Sequence, residues 1–113
     1  MRLVNYNIRF SKGRDGRYDL GRIAASIKGA DIISLQEVER NWPRTAMADQ
    51  PAEIAALLPN YYWVYGPAFD MDASTRAADG TVINRRRQFG NMVLARWPVE
   101  WSRLYILPKL ATA

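Results

Sequence analysis

The sequence predicts an α/β fold in which a sheet of short apolar strands carries helices on one face. Three observations lead there. Strand-like runs alternate with amphipathic runs along the chain. The first two strand-like runs flank one helical segment, the pattern of parallel neighbours joined by a crossover helix. Both helical segments open on a recognisable start signal, an Asp cap or a proline in the first turn.

The elements follow in order. Leu3 to Phe10 alternates loosely and reads as strand one. Ser11 to Tyr18 is rich in glycine and charge and reads as a loop. Asp19 is a suitable N-cap, and Leu20, Ile23, Ala24 and Ile27 recur at helical spacing until Gly29 stops the run. Asp31 to Gln36 is a buried strand that ends on Glu37. A carboxylate at the mouth of a sheet calls for a cation or a donor network. A loop from Glu39 to Ala48 leads to Pro51 at a second helix start, and Pro59-Asn60 ends that helix. Tyr61 to Tyr65 reads as an aromatic strand closed by Gly66-Pro67. Residues 68–88 read as a long polar loop that contains Arg85-Arg86-Arg87. Gly90 to Arg96 reads as a strand, and Glu100 to Leu107 as a final one. Two helices cover one face of such a sheet, and the other face needs a cover of its own. The expectation is therefore a single incomplete domain over residues 1–113, with its C-terminal half absent or replaced by a partner surface.

Composition narrows the chemistry. The 113 residues are 49% hydrophobic, which suits a folded globule. No cysteine or histidine is present, so a disulfide framework, a thiolate or histidine metal site, a histidine triad and a histidine general base are all excluded within the chain. The formal net charge is +5, mostly from arginine, which suits bidentate contacts to phosphate or carboxylate but is equally that of an ordinary solvated surface. No secretory signal and no membrane-length apolar run is visible, so a cytoplasmic location is the default expectation.

Three polar residues fall where a sheet can gather them at one end: Asn7 in strand one, Glu37 after strand two and Asn91 at the start of a later strand. An amide and a carboxylate are hard oxygen ligands suited to Mg²⁺. Each also has an ordinary structural reading: a strand-end carboxylate for Glu37, a loop hydrogen bond for Asn7, a turn after Gly90 for Asn91.

The motifs are more specific than these parts. Val4-Asn5-Tyr6-Asn7-Ile8 resembles the opening strand of the endonuclease/exonuclease/phosphatase superfamily. Ile33-Ser34-Leu35-Gln36-Glu37-Val38 resembles its second motif, and Phe89 to Val99 resembles its Gly-Asn-(apolar)-Ser-Arg-(aromatic)-Pro strand. Arg44-Thr45, Asp49-Gln50 and Tyr65-Gly66-Pro67-Ala68 occur in order, much as in many bacterial members. The resemblance covers essentially the whole chain. It implies half of a four-layer α/β sandwich whose mixed sheet bears helices on one face.

It also implies a divalent-metal-dependent hydrolase of phosphate esters: a nuclease, phosphodiesterase or phosphatase acting on nucleic acid, a phospholipid headgroup or a small phosphorylated molecule. Glu37 would bind the cation, Mg²⁺ or alternatively Mn²⁺. Asn7 would orient the metal shell or the scissile phosphate. Arg44 and Asn91 would help to position substrate, with a surface ion pair and a strand-end turn as their structural alternatives. The family's later Gly-Asp-x-Asn segment, its Asp-His pair and its separate phosphate-contacting histidine have no counterpart among the 113 residues. The isolated chain is therefore expected to be inactive. The rival expectations are a non-catalytic nucleic-acid-binding module using the Arg85–Arg87 run, for which a solvated charge run is the plainer reading, and a truncated product with no function.

Overall fold

The computed structural model describes residues 1–105. Its element order is β1 (Leu3–Asn7), a 3-10 turn (Arg9–Ser11), α1 (Leu20–Ile27), β2 (Ile32–Arg40), a 3-10 turn (Pro43–Thr45), α2 (Gln50–Leu57), β3 (Tyr62–Asp72), β4 (Thr75–Arg76), β5 (Val82–Ile83) and β6 (Arg86–Ala95). Four strands form one sheet in the order β1-β2-β6-β3. β1 runs parallel to β2, whereas β2 and β3 both run antiparallel to β6, so the sheet is mixed.

Both helices start as their sequences dictate. The Asp19 side chain accepts a hydrogen bond from the Arg22 N–H at 3.0 Å, and the Asp49 side chain accepts one from the Ala52 N–H at 3.2 Å. Each satisfies a backbone donor that has no partner inside its helix. Pro51 sits in the first turn of α2, where its missing N–H costs nothing. Ile23, Ala24 and Ile27 of α1, with Ile54 and Leu58 of α2, meet Ile33, Leu35, Met92 and Leu94 of the sheet in one core. The other sheet face is polar and open around Asn5, Asn7 and Asn91. Near β3 and β6 it carries residues 102–105, where Leu104 lies against Gly66.

Several boundaries differ from the sequence reading, each for a physical reason. Strand one ends at Asn7, because Arg9, Phe10 and Ser11 all take left-handed backbone conformations. β2 continues to Arg40, beyond the expected end at Gln36, because a bulge lets it follow β6 further. Gly66-Pro67 does not close β3. β3 is the last strand of the sheet, and at an edge a proline costs no ladder hydrogen bond on its open side. The register with β6 shifts between Pro67 and Phe69 and then resumes to Asp72. The expected loop over residues 68–88 is thus mostly a long hairpin, tipped by the small β4–β5 pair. Residues 100–105 form no strand, and the rest of the expected final strand lies outside the described residues.

Gly90 is the residue that allows β3 to pass its irregularity. A Cβ there would meet the Gly66 carbonyl oxygen and, at 2.7 Å, the Pro67 Cα. Both are backbone atoms on a paired strand and cannot swing aside. Gly90→Ala is expected to destabilise the fold by about 1–3 kcal/mol, the usual cost of overpacking a filled position. Urea unfolding monitored by circular dichroism measures the difference.

Candidate functional site

The strand that carries Glu37 is built around a bulge. Leu35 and Val38 are both fully buried. In a regular strand, residues three apart face opposite sides of the sheet, so one of them would point away from the core. The register resolves this: Leu35 pairs with Met92 and Val38 with Gly90, leaving Gln36 and Glu37 opposite the single residue Asn91. Glu37 takes φ +57° to achieve it. For a residue other than glycine, the left-handed region costs about 1–2 kcal/mol.

Pairing then places the three predicted residues at one level of the sheet. Asn7 is the register partner of Gln36, and Asn91 faces the Gln36–Glu37 bulge from the other side. Glu37 is half-buried and makes no ion pair or side-chain hydrogen bond among the described residues. Asn7 is exposed, and its Oδ1 accepts the Arg9 N–H at 3.0 Å. That bond sets the amide orientation and leaves the Asn7 NH₂ without a protein acceptor among the described residues. Next to them, Gln36 Nε2 donates to Asn5 Oδ1 and, at 3.2 Å, to Ser34 Oγ. Asn91 is exposed and lines a cleft of about 360 Å³ with Gly66, Val93 and Leu104.

The charge that the interior actually holds is two residues further on. Glu39 is fully buried. Its Oε1 accepts Arg44 Nε at 2.9 Å and Arg44 Nη2 at 2.6 Å, and its Oε2 accepts Thr45 Oγ1 at 2.6 Å. Gln50 Oε1 accepts the Glu39 N–H at 3.0 Å, while Gln50 Nε2 donates to the Phe10 carbonyl at 3.0 Å. The Arg44 guanidinium stacks 3.6 Å from the Phe10 ring and 4.8 Å from the Trp42 ring. A buried carboxylate is tolerated only when its oxygens are so satisfied.

Arg44, expected at the substrate, is thus placed as the counter-ion of Glu39. Sequence reasoning missed Glu39 and Gln50. The available signal was the pair Arg44-Thr45, five and six residues beyond a second carboxylate. Tyr65, half-buried nearby, donates its hydroxyl to the Val38 carbonyl at 2.8 Å, and burial pushes its phenol well above the usual range, keeping the proton on.

The Arg85–Arg87 run lies at the start of β6. Alternation along the strand splits it: Arg86 pairs with Asp70 at 3.0 Å, and Arg87 Nε donates to the Asn41 carbonyl at 2.8 Å. As for metal chemistry, Glu37 offers one carboxylate with a free oxygen edge, a donor type that suits a cation retaining several waters. Among the described residues, no three acidic side chains gather around one point.

The described residues thus form a mixed sheet whose second strand carries, at a mid-strand bulge, a carboxylate without an ion-pair partner among them, flanked by two asparagines. A profile of the Endonuclease/Exonuclease/phosphatase family matches residues 4–112, and the chain belongs to that family. The crystal structure of an endonuclease/exonuclease/phosphatase from Beutenbergia cavernae DSM 12333 is similar, with a TM-score of 0.61 and 30% sequence identity over 87% of this chain. The match spans 26% of that protein's length. No curated protein matches the chain. No helix among the described residues is long and apolar enough to cross a membrane.

Two stability predictions separate the two glutamates. Glu37→Gly is expected to raise stability by up to about 1 kcal/mol, since glycine accepts the left-handed backbone and gives part of that gain back as unfolded-state freedom. Arg44→Ala is expected to cost about 3–5 kcal/mol, because it strands the Glu39 charge in the interior. Chemical denaturation of both variants beside the parent chain checks the signs.

Proposed function

We propose that the chain carries the metal- and phosphate-facing part of a divalent-metal-dependent phosphoesterase, with the remaining catalytic groups supplied by residues outside these 113. Membership of the Endonuclease/Exonuclease/phosphatase family supports a phosphoesterase-type hydrolase in general. The observation that carries the finer reading is the unpaired Glu37 carboxylate at the same sheet level as Asn7 and Asn91. In this reading Glu37 holds Mg²⁺, or Mn²⁺ in its place. Held there, a divalent cation would supply polarisation of a phosphoryl oxygen and neutralisation of developing negative charge.

The chain's own residues then have separate tasks. Glu37 presents its carboxylate from a backbone geometry that neither a regular strand nor a flexible loop would hold. Asn7 has one acceptor lone pair committed to the Arg9 N–H, so its NH₂ is directed to a phosphate oxygen rather than to the cation. Asn91 stands opposite the bulge as a second polar contact. Arg44 supports from behind: it neutralises Glu39, and the Gln50 bonds to Glu39 and Phe10 carry that order to the turn after Asn7. No imidazole is present to take a proton from water. Acid–base groups contribute about 10²–10⁴-fold to such reactions, so the isolated chain is expected to show almost no turnover.

The rival in which Arg85–Arg87 form a nucleic-acid-binding loop has less support, since Arg86 and Arg87 are engaged within the hairpin.

Metal binding is the direct test. Titrating ¹⁵N-labelled chain with Mn²⁺ is expected to broaden the amide signals of residues 36–38, 7 and 91 first. Glu37→Gln is expected to abolish that broadening and leave the remaining spectrum in place. Broadening centred on Asp70 and Asp72, or unaltered by Glu37→Gln, would remove the role given to Glu37.

A further inference from the structure

We propose that the groove between the Arg9–Arg14 segment and α1 is an anion subsite that holds a second phosphate of the substrate, beside the one assigned to Glu37 and Asn7. The inference rests on that reading of Glu37 and Asn7 and deepens it. It selects substrates in which two phosphates lie close together over those with a single isolated phosphate.

The groove is a cleft of about 560 Å³. Arg9, Lys12, Arg14 and Arg22 line it, with no acidic residue among the lining. Arg22 is neutralised by Asp15, at 2.9 Å. Arg9, Lys12 and Arg14 have no carboxylate partner among the described residues. Asn7 lines the same cleft, so the groove lies next to the proposed reaction centre. Three uncompensated cations around one concavity repel one another and focus a positive potential into it, which an anion relieves.

The backbone holds them there. Arg9, Phe10 and Ser11 take φ of 47°, 43° and 70°, three successive left-handed residues of which none is glycine. Such strain persists only where the surroundings over-determine it. Here the Gln50 side chain donates to the Phe10 carbonyl, Arg44 stacks on the Phe10 ring, and the Asp19 N–H donates to the Ser11 carbonyl at 3.1 Å. The loop beyond is pinned as well. Lys12 pairs with Tyr18, the Gly13 N–H donates to the Arg17 carbonyl at 2.8 Å, and the Arg22 guanidinium packs so close to Gly13 that a Cβ there would collide with it. The backbone that carries the cations is therefore fixed before any anion arrives, which lowers the ordering cost of binding.

The shared ligand chemistry is a pair of neighbouring phosphates, found in a nucleic-acid strand or in a compact polyphosphate. The test titrates the chain, without metal, with a fluorescein-labelled thymidine octamer and competes it with pyrophosphate and with thymidine monophosphate. For Arg9→Gln/Lys12→Gln/Arg14→Gln, octamer affinity is expected to fall at least about tenfold. Its log K against log salt slope should shrink by about 0.7, the value for one single-strand phosphate contact.

Arg14→Gln alone, at an exposed position, should give a smaller loss in the same direction, and it guards against misfolding of the triple variant. The Mn²⁺-induced broadening around residues 36–38 should persist in the triple variant, so the subsite and the metal reading are tested separately. Competition by pyrophosphate would mark a compact polyphosphate, and octamer binding that pyrophosphate does not displace would mark a strand; either result supports the subsite. An unchanged slope in the triple variant, or displacement of the octamer by thymidine monophosphate at the same concentrations at which pyrophosphate displaces it, would overturn it. Unchanged octamer affinity in the triple variant, with that broadening intact, would also overturn it while leaving the metal reading standing.

Discussion

Leu35 and Val38 must both be buried, and a strand cannot bury residues three apart on one face without an irregularity. That requirement produces the bulge, and the bulge produces the site. It puts Gln36 and Glu37 opposite one residue of β6, turns the Glu37 backbone left-handed and carries β2 on toward Arg40. The strain falls on the residue whose carboxylate is left without a protein partner. Strain of this kind is retained at positions where geometry matters more than stability. A glycine would suit the backbone better and would remove the carboxylate.

The second organising feature is the buried Glu39. Its carboxylate accepts three hydrogen bonds, two from Arg44 and one from Thr45 in the turn before α2, while Gln50 at the start of α2 accepts the Glu39 N–H and donates to the Phe10 carbonyl. The network ties β2, α2 and the turn after β1 into one unit. It stands behind the open face, where Asn7 and Glu37 lie, and it holds the turn that leads into the basic groove. A buried ion pair adds little net stability over a well-packed apolar substitute. Its effect here is positional, because Gln50 and Arg44 carry its order to the left-handed turn at Arg9–Ser11 through the Phe10 carbonyl and the Phe10 ring.

The arginines divide between these two tasks and a third. Arg44 compensates an interior charge. Arg40, paired with Asp49 at 3.0 Å and bonded to Gln88 at 2.7 Å, and Arg86, paired with Asp70, stitch the hairpin and loop together. Arg9 and Arg14, with Lys12, remain without acidic partners among the described residues. A net charge of +5 is uninformative on its own. Its distribution between engaged and free cations is what distinguishes a functional surface from a solvated one.

How much of this was legible in the sequence depends on the range of the interaction. Local signals determined both helices: Asp19, Asp49 and Pro51 act within a few residues of themselves, and the apolar spacing of Leu20, Ile23, Ala24 and Ile27 needs only the helical period. The parallel β1–β2 pair and the family likeness were legible for the same reason, since motif residues are contiguous. The charge of Glu37 after the apolar run was legible too, but the sequence put it at the end of a strand, whereas it lies at a bulge within β2. Tertiary structure alone decided which glutamate is buried, because alternation cannot foresee a bulge that shifts every later side chain by one position. It also turned residues 68–88 into a hairpin, since cross-strand pairs such as Asp70 with Arg86 join residues sixteen apart. It separated the engaged arginines from the free ones as well, because a cation's partner is set by the folded surface and not by its neighbours along the chain.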